Sequence, residues 1–506
     1  MIKLIYRIES DYMSKKRMLI VTSVTLSVVT ISLGIVKLYQ TYALSNYIGT
    51  VTDTGIDVYI NDDSYASIPA NGSSNVYYML TNTNPGTVKY GVAYQTTSGV
   101  TVKVYDTSED PATGTIEEND KKYIKLHLEN KNSTNKTIEL STVLGYENGG
   151  DLVVPSGVTL VTDTYTPPPT AAEYITKLYT TASKTTVTNN SITYNTAPSV
   201  SLMNDRLGGT TTDLDGGNIR YYGASPNNYI YFNCSDYSNQ TSSTCETWRI
   251  IGVFDGKLKL IRGSQIGTYS WDNKDTSTGA ESNFGKNDWT TARLMKLLNP
   301  SDYYTTDSND NNLGQGLYYN SASGKCYSGQ NNATVDCNFT STGIKNDITR
   351  NMIAETTYNL GGWNSNTVYP NLMYEKERGT TVYTGRPTTP WTGKIALAYT
   401  SDYGYAADLN QCKDKTLYDY NNSTCTSNNW MKAIITNNGS NSGWLLTPYC
   451  STSSNVWYVY PVGNVYFNYT VYSAFGAVPV LSLSSELGIE SGGDGSSSNP
   501  YKSYNS

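Results

Sequence analysis

The sequence predicts three parts in order: a single N-terminal transmembrane helix, an all-β sandwich and a larger α+β domain. Three observations lead to this fold class. An uncharged apolar run covers Met18–Val36. About seven short stretches in which apolar and polar residues alternate follow it, with turn residues between them. The rest of the chain mixes strand-like stretches with a few of helical periodicity.

The apolar run Met18–Val36 is long enough for one membrane span, because a helix rises about 1.5 Å per residue through a hydrocarbon core about 30 Å thick. The basic residues Lys15–Arg17 precede it. By the positive-inside rule, 1–17 is then a cytoplasmic segment, 18–38 the transmembrane anchor and the bulk of the chain extracellular. A cleaved secretory signal ending near Thr41–Ala43 is the alternative. Both interpretations place the remainder outside the cytoplasm, and the uncleaved anchor would hold it at the cell membrane.

The composition fits an exported protein. The chain has a formal net charge of −7, with 46 Tyr and 42 Gly among its 506 residues. An acidic balance argues against nucleic-acid binding, which requires a basic surface. Abundant Tyr, Asn, Ser, Thr and Gly predict many short strands and polar turns. The predicted partners are therefore the membrane, through the N-terminal helix, and a glycan or protein ligand at the surface.

All seven cysteines lie beyond residue 230, in the part of the chain predicted to be outside the cell. No pair has the C-x-x-C spacing of zinc ribbons or thioredoxins. Their local spacing predicts three disulfide loops, each worth about 3 kcal/mol if unstrained. The predicted pairs are Cys234 with Cys245, Cys326 with Cys337, and Cys412 with Cys425. Buried free thiols are the alternative, and Cys450 is left without a partner.

Residues 44–166 are predicted to form an immunoglobulin-like β-sandwich, because the strand-like stretches in this range are short and numerous. Tyr123–Glu129 shows the clearest alternation. It predicts an inward face of Ile124, Leu126 and Leu128 and a solvent face of Lys125, His127 and Glu129.

From residue 167 onward, changes in composition divide the chain into three further segments. A Pro-rich linker with a short helix is predicted at 167–198, since Thr166–Pro169 is a stiff run of prolines. The α+β domain follows at 199–485, with helices expected at Trp289–Leu298 and Trp430–Thr436. The Gly/Ser-rich stretch 486–506 is predicted to be a flexible tail.

Residue types that commonly form catalytic or metal sites are scarce in the sequence. His127 is the one histidine in the chain, so the larger domain has no His-based triad, dyad or metal site. Asp213 and Asp215 resemble a fragment of a calcium loop, but turn formation explains them better. We therefore predict no catalytic residue, no metal ligand and no cofactor.

A ligand-binding surface is predicted instead from the aromatic residues near the C-terminus. In Val456–Tyr460 and Gly463–Phe467, alternation separates two faces. If Trp457, Val459, Val465 and Phe467 are core, then Tyr458, Tyr460 and Tyr466 share the other face. Tyrosine offers a rigid apolar ring and a polar tip at low entropic cost, which suits contact with sugars or proteins. Packing of these rings under a loop or a second sheet is an equal alternative.

The C-terminal region also resembles a known group of proteins. The stretches Trp444–Pro448, Gly463–Val465 and Val478–Leu483 are similar to the pattern W-L-x-[ST]-P … G-x-V … R-P-V-L-x-L. That pattern occurs in uncharacterised bacterial membrane-anchored surface proteins that combine an immunoglobulin-like domain with a C-terminal domain. The resemblance implies a C-type-lectin-like fold, shared with the formylglycine-generating-enzyme family, for the α+β domain. One departure is that Val478 replaces the usual Arg before Pro479.

The predicted function is a cell-surface binding or adhesion protein that displays a lectin-like ligand-binding domain. Two alternatives stay open from the sequence. A structural envelope or fibre component could use the unpaired Cys450 and strand edges to join neighbouring chains. A surface enzyme on the same fold would need carboxylates or Cys450 for its chemistry.

Overall fold

The computed structural model forms two compact units, Met1–Pro168 and Pro169–Ser506, which we call the small unit and the large unit. The structure describes residues 64–82, 86–146, 152, 154–273, 284–305, 314–329, 333–384, 386, 390–413, 415–485, 487–489 and 492–505. The predicted cytoplasmic segment 1–17 and transmembrane anchor 18–38 lie outside these residues.

The small unit is built from nine strands in two sheets. They are β1 (Ser64–Ile68), β2 (Gly72–Thr81), β3 (Val88–Gln95), β4 (Val100–Tyr105), β5 (Thr113–Ile116), β6 (Lys121–Asn130), β7 (Lys136–Tyr146), β8 (Val158–Leu160) and β9 (Thr164–Tyr165). One sheet has the order β1-β7-β3-β5, with β8 also paired to β3, and the other has the order β2-β6-β4-β9. One hydrophobic cluster contains buried residues from both sheets, so the small unit is a two-sheet sandwich.

Strand β6 shows how the sequence pattern produces this core. Ile124, Leu126 and Leu128 are completely buried, which confirms the predicted inward face. The prediction that His127 faces water is wrong, since its residue is only 6% exposed. The imidazole stacks on Tyr165 of β9 at 3.6 Å between ring centroids, and its Nδ1 lies 2.8 Å from Oδ1 of Asn75. Strand β9, the last strand of the small unit, covers the face of β6 that the alternation of residues alone would assign to solvent.

The large unit is organised around an eleven-stranded sheet. Its strands are β10 (Thr185–Asn189), β11 (Ile192–Ala197), β12 (Leu202–Asn204), β13 (Ile219–Tyr221), β14 (Tyr229–Phe232), β15 (Glu246–Phe254), β16 (Lys257–Arg262), β22 (Ile395–Ala396), β27 (Val480–Ser482), β28 (Leu487–Ile489) and β29 (Tyr501–Asn505). The main order is β10-β11-β12-β13-β15-β14-β29-β28, and β16 links β15 to β27, which also pairs with β22.

Three smaller sheets complete the large unit. Their strands are β17 (Thr268–Tyr269), β18 (Ser323–Cys326), β19 (Val335–Asn338), β20 (Thr356–Tyr358), β21 (Trp391–Gly393), β23 (Gly443–Pro448), β24 (Val456–Val459), β25 (Val465–Tyr466) and β26 (Phe475–Gly476). A five-stranded sheet has the order β17-β26-β23-β24-β25, whereas β18 pairs with β19 and β20 pairs with β21.

The described residues contain eight α-helices, all of them in the large unit. They are α1 (Ala171–Thr181), α2 (Arg206–Gly209), α3 (Arg293–Leu298), α4 (Asp347–Met352), α5 (Pro370–Glu377), α6 (Thr400–Tyr405), α7 (Ser423–Ser427) and α8 (Trp430–Ile435). A capping box between Thr170 and Glu173 begins α1, and Asn429 caps α8. Helix α3 begins later than predicted, because the carboxylate of Asp288 accepts from the amide of Thr290 in a turn before it.

The predicted fold class is wrong. The described chain is mostly β-sheet, and its helices have only four to eleven residues. None of the helices in the described part is long and apolar enough to cross a membrane. The combination of a transmembrane helix, an immunoglobulin-like sandwich and an α+β C-type-lectin-like domain is therefore replaced by two sheet-dominated units. The helices are short segments between strands, the longest of them Ala171–Thr181 with 11 residues.

The segments predicted to be a linker and a flexible tail are instead integral parts of the large unit. Residues 167–198, expected to be a linker with a short helix, contribute α1, β10 and β11, of which the two strands join the eleven-stranded sheet. Residues 486–506, expected to be a flexible tail, contribute β28 and β29. Tyr501 pairs with Ile230 of β14 and is buried, so this Gly/Ser-rich segment is held by strand pairing that local composition does not reveal.

The three predicted disulfides are present in the large unit. Cys234 pairs with Cys245, Cys326 with Cys337, and Cys412 with Cys425. The second pair joins the adjacent strands β18 and β19, and the third lies in a hydrophobic core. Cys450 is the free cysteine of the described residues.

Candidate functional site

The five-stranded sheet of the large unit separates two hydrophobic cores. Leu445, Trp457, Val459 and Val465 belong to one core, whereas Trp444, Leu446, Val456 and Tyr458 belong to the other. Strand alternation on β23 and β24 produces this division, because successive side chains point to opposite faces. The predicted separation of Trp457 and Val459 from Tyr458 is therefore correct, but both faces of the sheet are covered.

The three tyrosines predicted to bind a ligand lie together at the edge of this sheet, in different environments. Tyr458 is 1% exposed and packs 5.0 Å from Phe475, whereas Tyr460 is 41% exposed. Tyr466 is half-buried, with its ring 6.4 Å from that of Tyr458 and 5.9 Å from that of Tyr460. The phenol of Tyr458 donates to Oδ1 of Asn468 at 2.5 Å. Tyr458 is thus a support for the exposed rings, and a ligand cannot reach it directly.

Two further tyrosines extend this surface. Tyr418 is half-buried, with its ring 4.8 Å from that of Tyr466 and its hydroxyl 2.8 Å from the hydroxyl of Tyr466. Tyr469 is 46% exposed and lies 5.7 Å from Tyr458. Tyr418 comes from a turn far earlier in the chain, so no spacing in the sequence connects it with β25. We call Tyr418, Tyr460, Tyr466 and Tyr469 the tyrosine patch.

A small pocket of about 10 Å³, which is room for about one water molecule, lies elsewhere on the large unit. Its walls include Trp271, Trp289, Leu360, Leu446 and Pro448. We call it the Trp289 pocket, because Nε1 of Trp289 is buried and has no hydrogen-bond partner among the described residues. Leaving a buried donor unsatisfied costs about 1–3 kcal/mol, so such an atom requires an explanation.

The polar side chain of Asn287 at this pocket is fully engaged by the protein. Its Nδ2 donates to the carbonyls of Tyr449, Thr452 and Asn455 at 2.9 to 3.0 Å. Its Oδ1 accepts from Nε of Arg386 at 3.3 Å. Asn287 therefore organises the surrounding loop.

A cluster of four charged side chains is buried in the large unit. Nε of Arg220 lies 2.5 Å from Oδ2 of Asp205, and its Nη1 lies 2.8 Å from Oδ1 of Asp402. Lys259 forms an ion pair with the second oxygen of Asp402. Two cations and two carboxylates balance one another away from solvent. The cluster joins β13, β16 and α6, so we assign it to the stability of the large unit and not to ligand binding.

The other residues considered from the sequence do not form a reactive centre. The Cys450 thiol is half-buried and donates to the carbonyl of Thr381 at 3.3 Å. Burial raises the pKa of Cys450 to about 12, so the thiol is protonated and weakly nucleophilic at neutral pH. Asp213 accepts from the amide of Asp215 at 3.0 Å in a turn. Over the described ranges, no group of three or more His, Cys, Asp or Glu side chains could hold a metal ion.

No protein-family profile, curated protein or solved structure matches this chain. The likeness to bacterial surface proteins, which rests on stretches such as Trp444–Pro448, therefore stays a prediction. Function has to be inferred from the tyrosine patch and the disulfides.

Proposed function

We propose that this chain is a binding protein that works outside the cytoplasm and holds a neutral sugar chain against the tyrosine patch. The observation that carries the proposal is the arrangement of Tyr418, Tyr460 and Tyr466 as neighbouring rings, with Tyr469 packed against the buried Tyr458. Tyr460 and Tyr469 are each more than 40% exposed. Exposed aromatic groups that are gathered in one place mark binding surfaces more often than scattered ones do. Binding of this kind to another surface is adhesion, the role predicted from the sequence.

The patch is held in place before a ligand arrives. Tyr458 lies beneath it and contacts Phe475, which in turn packs 4.5 Å from Trp444 in the core. The hydroxyls of Tyr418 and Tyr466 are hydrogen-bonded to each other. A tyrosine loses little side-chain entropy on binding, and a ring that is already fixed loses less. The surface can therefore contribute to affinity without a large ordering cost.

The chemistry of the patch favours a sugar over a charged ligand. Its four side chains carry no formal charge at neutral pH, and each ends in a hydroxyl. A sugar chain offers apolar C–H faces for the rings and hydroxyls for the phenols. The net charge of −7 further disfavours polyanions such as nucleic acids. A flat protein surface is the competing ligand, and it would contact the same rings.

The three disulfides support the proposed location outside the cytoplasm. Disulfides persist in oxidising compartments and are rare in the cytosol. Two of the three pairs close loops of similar size, with sequence separations of 11 residues each. Local loops of this kind stabilise a sheet-rich unit after export.

A binding screen tests the proposal directly. The purified full-length chain should bind neutral polysaccharides on a glycan array and leave sulfated polysaccharides, nucleic acids and a peptide array unlabelled. The reason is that uncharged, hydroxyl-tipped rings complement neutral sugars, whereas the acidic chain repels polyanions. No signal on any glycan, or signal on peptides alone, would contradict the proposal.

A further inference from the structure

We propose that strand β10 pairs with the β10 strand of a second copy of this chain, so that two large units share one continuous sheet. Strand β10 (Thr185–Asn189) is one end of the eleven-stranded sheet and pairs with β11 on one side only. The backbone groups on its other side are available to another strand. The pairing involves a surface that the proposed function does not use.

The other ends of the eleven-stranded sheet are closed by the chain itself. The three residues of β28 are buried, and Gly488 among them forms a bridge with Thr170. Both residues of β22 are buried as well. There the side chain of Asn299 accepts from the N–H of Ile395 at 2.9 Å and donates to its carbonyl at 2.8 Å. Neither end can therefore accept a further strand.

The register of the β10–β11 hairpin shows which backbone groups of β10 point outward. Residues 190–191 form a two-residue turn, and both have positive φ, as in a type I′ turn. Asn189 and Ile192 face each other directly beside this turn and form a hydrogen-bonded pair. Hydrogen-bonded pairs then alternate with non-hydrogen-bonded pairs along the strands. Thr186 and Thr188 therefore direct their N–H and C=O groups away from β11.

Strand β10 has no cover on this outer side. Thr185, Thr186 and Thr188 are exposed, whereas Val187 is half-buried and packs against a small hydrophobic cluster. Among the described residues, none forms a hydrogen bond with the outward backbone groups of Thr186 or Thr188. The strand has five residues, with no charge, no proline and no bulge. It lacks the features by which proteins usually protect an edge strand from pairing.

The sequence of β10 complements itself in an antiparallel pair. When Val187 faces Val187 of the second copy across a two-fold axis, Thr186 lies opposite Thr188 of the second copy. The facing Thr pairs are those whose backbone groups point outward, so each pair exchanges both N–H···O bonds. Cross-strand Thr pairs are favourable, and no like charges are brought together. Because the same surface serves both copies, the assembly closes at two chains.

The hairpin is held in place before pairing. Nδ2 of Asn189 donates to the carbonyl of Lys413 at 3.0 Å. Nδ2 of Asn190 donates to Oδ1 of Asn371 at 3.2 Å. These bonds fix the end of the hairpin to other parts of the large unit. A strand that is already ordered loses less entropy when it pairs, so the edge is prepared for a partner.

Disulfide trapping tests the pairing in the full-length chain. Val187→Cys combined with Cys450→Ala should form a disulfide-linked dimer on a non-reducing gel, since facing Cα atoms of a non-hydrogen-bonded pair are about 4.5 Å apart, within the range that a disulfide spans. Thr357→Cys in the same background is the control. Thr357 is also exposed on a strand, but that strand belongs to the separate β20–β21 sheet, so this variant should stay monomeric.

A charge exchange tests the register. Thr186→Lys combined with Thr188→Lys places lysines opposite each other, so the Kd of the dimer should rise about tenfold. The corresponding change of both threonines to Glu should have the same effect. An equimolar mixture of the two double variants should dimerise at least as well as the wild type, because each lysine then faces a glutamate. Sedimentation velocity of the full-length chains in a mild detergent measures the dimer, and an unchanged Tm shows that the variants fold.

Restored pairing in the mixture, with trapping at position 187 and not at 357, would support the proposal. A wild-type chain that sediments as a monomer at every concentration, or equal trapping at both positions, would overturn it. A dimer that neither charge variant weakens would also overturn it, because its interface would lie elsewhere. The proposed function would stand in each of these cases, since the tyrosine patch lies at the edge of the five-stranded sheet and its binding to glycans is measured separately.

Discussion

Asp402→Asn should lower the free energy of unfolding of the large unit by roughly 3–5 kcal/mol, as expected when one partner of a buried ion cluster is removed. The carboxylate of Asp402 is buried against the guanidinium of Arg220 and the ammonium group of Lys259. The amide that replaces it carries no charge, so one positive charge in the core is left without compensation. Thermal and urea unfolding of the full-length chain measure the change in the transition of the large unit.

Asp347→Asn is the matched control for Asp402→Asn. Asp347 also pairs with an arginine, since its Oδ1 lies 2.7 Å from Nη1 of Arg350, but its side chain is 89% exposed. Exposed pairs contribute about 0–1 kcal/mol, so the control should change stability only slightly. Equal stability of Asp402→Asn and the wild type would contradict the assignment of the cluster to stability.

The same cluster predicts a response to acid. Burial by itself raises the pKa of Asp402, but Lys259 and Arg220 outweigh it and lower the pKa from 3.8 to about 2. A folded-state pKa below that of the unfolded chain stabilises the fold above about pH 4, and this stabilisation is lost as the pH falls toward 2. Asp402→Asn lacks the titrating group, so its stability should show less dependence on pH in this window.

Removing the Cys412–Cys425 disulfide should cost about 3 kcal/mol of stability by the loop-closure estimate. Both cysteines are completely buried in the hydrophobic core of the large unit that also contains Leu445 and Trp457. They are separated by 13 residues in the sequence. The double change to alanine frees this loop in the unfolded chain and removes packed sulfur atoms from the core. Urea unfolding of the double variant under non-reducing conditions measures the loss.

Cys450→Ala provides the control for the cysteine variants. Cys450 forms no disulfide and is half-buried, so its loss should change stability by less than about 1 kcal/mol. Alkylation of the unfolded wild-type chain without reductant should label one thiol per chain. Labelling of all seven cysteines would contradict the disulfides and the proposed location outside the cytoplasm.

Elements with strict alternation could be predicted closely from the sequence. The alternating stretch Tyr123–Glu129 lies within β6, and Val456–Tyr460 differs from β24 by one residue. Both stretches are rich in apolar residues that must be buried somewhere, and each is bounded by turn residues. The short helix expected within 167–198 is also present as α1, because its apolar residues recur at helical spacing.

Features that depend on distant parts of the chain could not be predicted. Arg220 and Lys259 lie in strands whose alternation is ordinary, and only the fold brings Asp402 to them. The patch was predicted in part, because Tyr460 and Tyr466 share a face by alternation. Tyr418 reaches Tyr466 through tertiary structure, and the core beneath Tyr458 comes from a different strand, so the sequence indicates neither.

The tyrosine patch is the central element of the proposed function, and one titration tests its role in binding. Tyr460→Ala combined with Tyr466→Ala should weaken binding to the best neutral glycan by about thirtyfold, since removing aromatic groups at the centre of a contact surface typically costs 2 kcal/mol or more. Tyr65→Ala, which removes a 70% exposed tyrosine of the small unit, is the control and should leave the Kd unchanged. Unchanged affinity in the double variant, with its Tm intact, would contradict the assignment of the tyrosine patch as the ligand-binding surface.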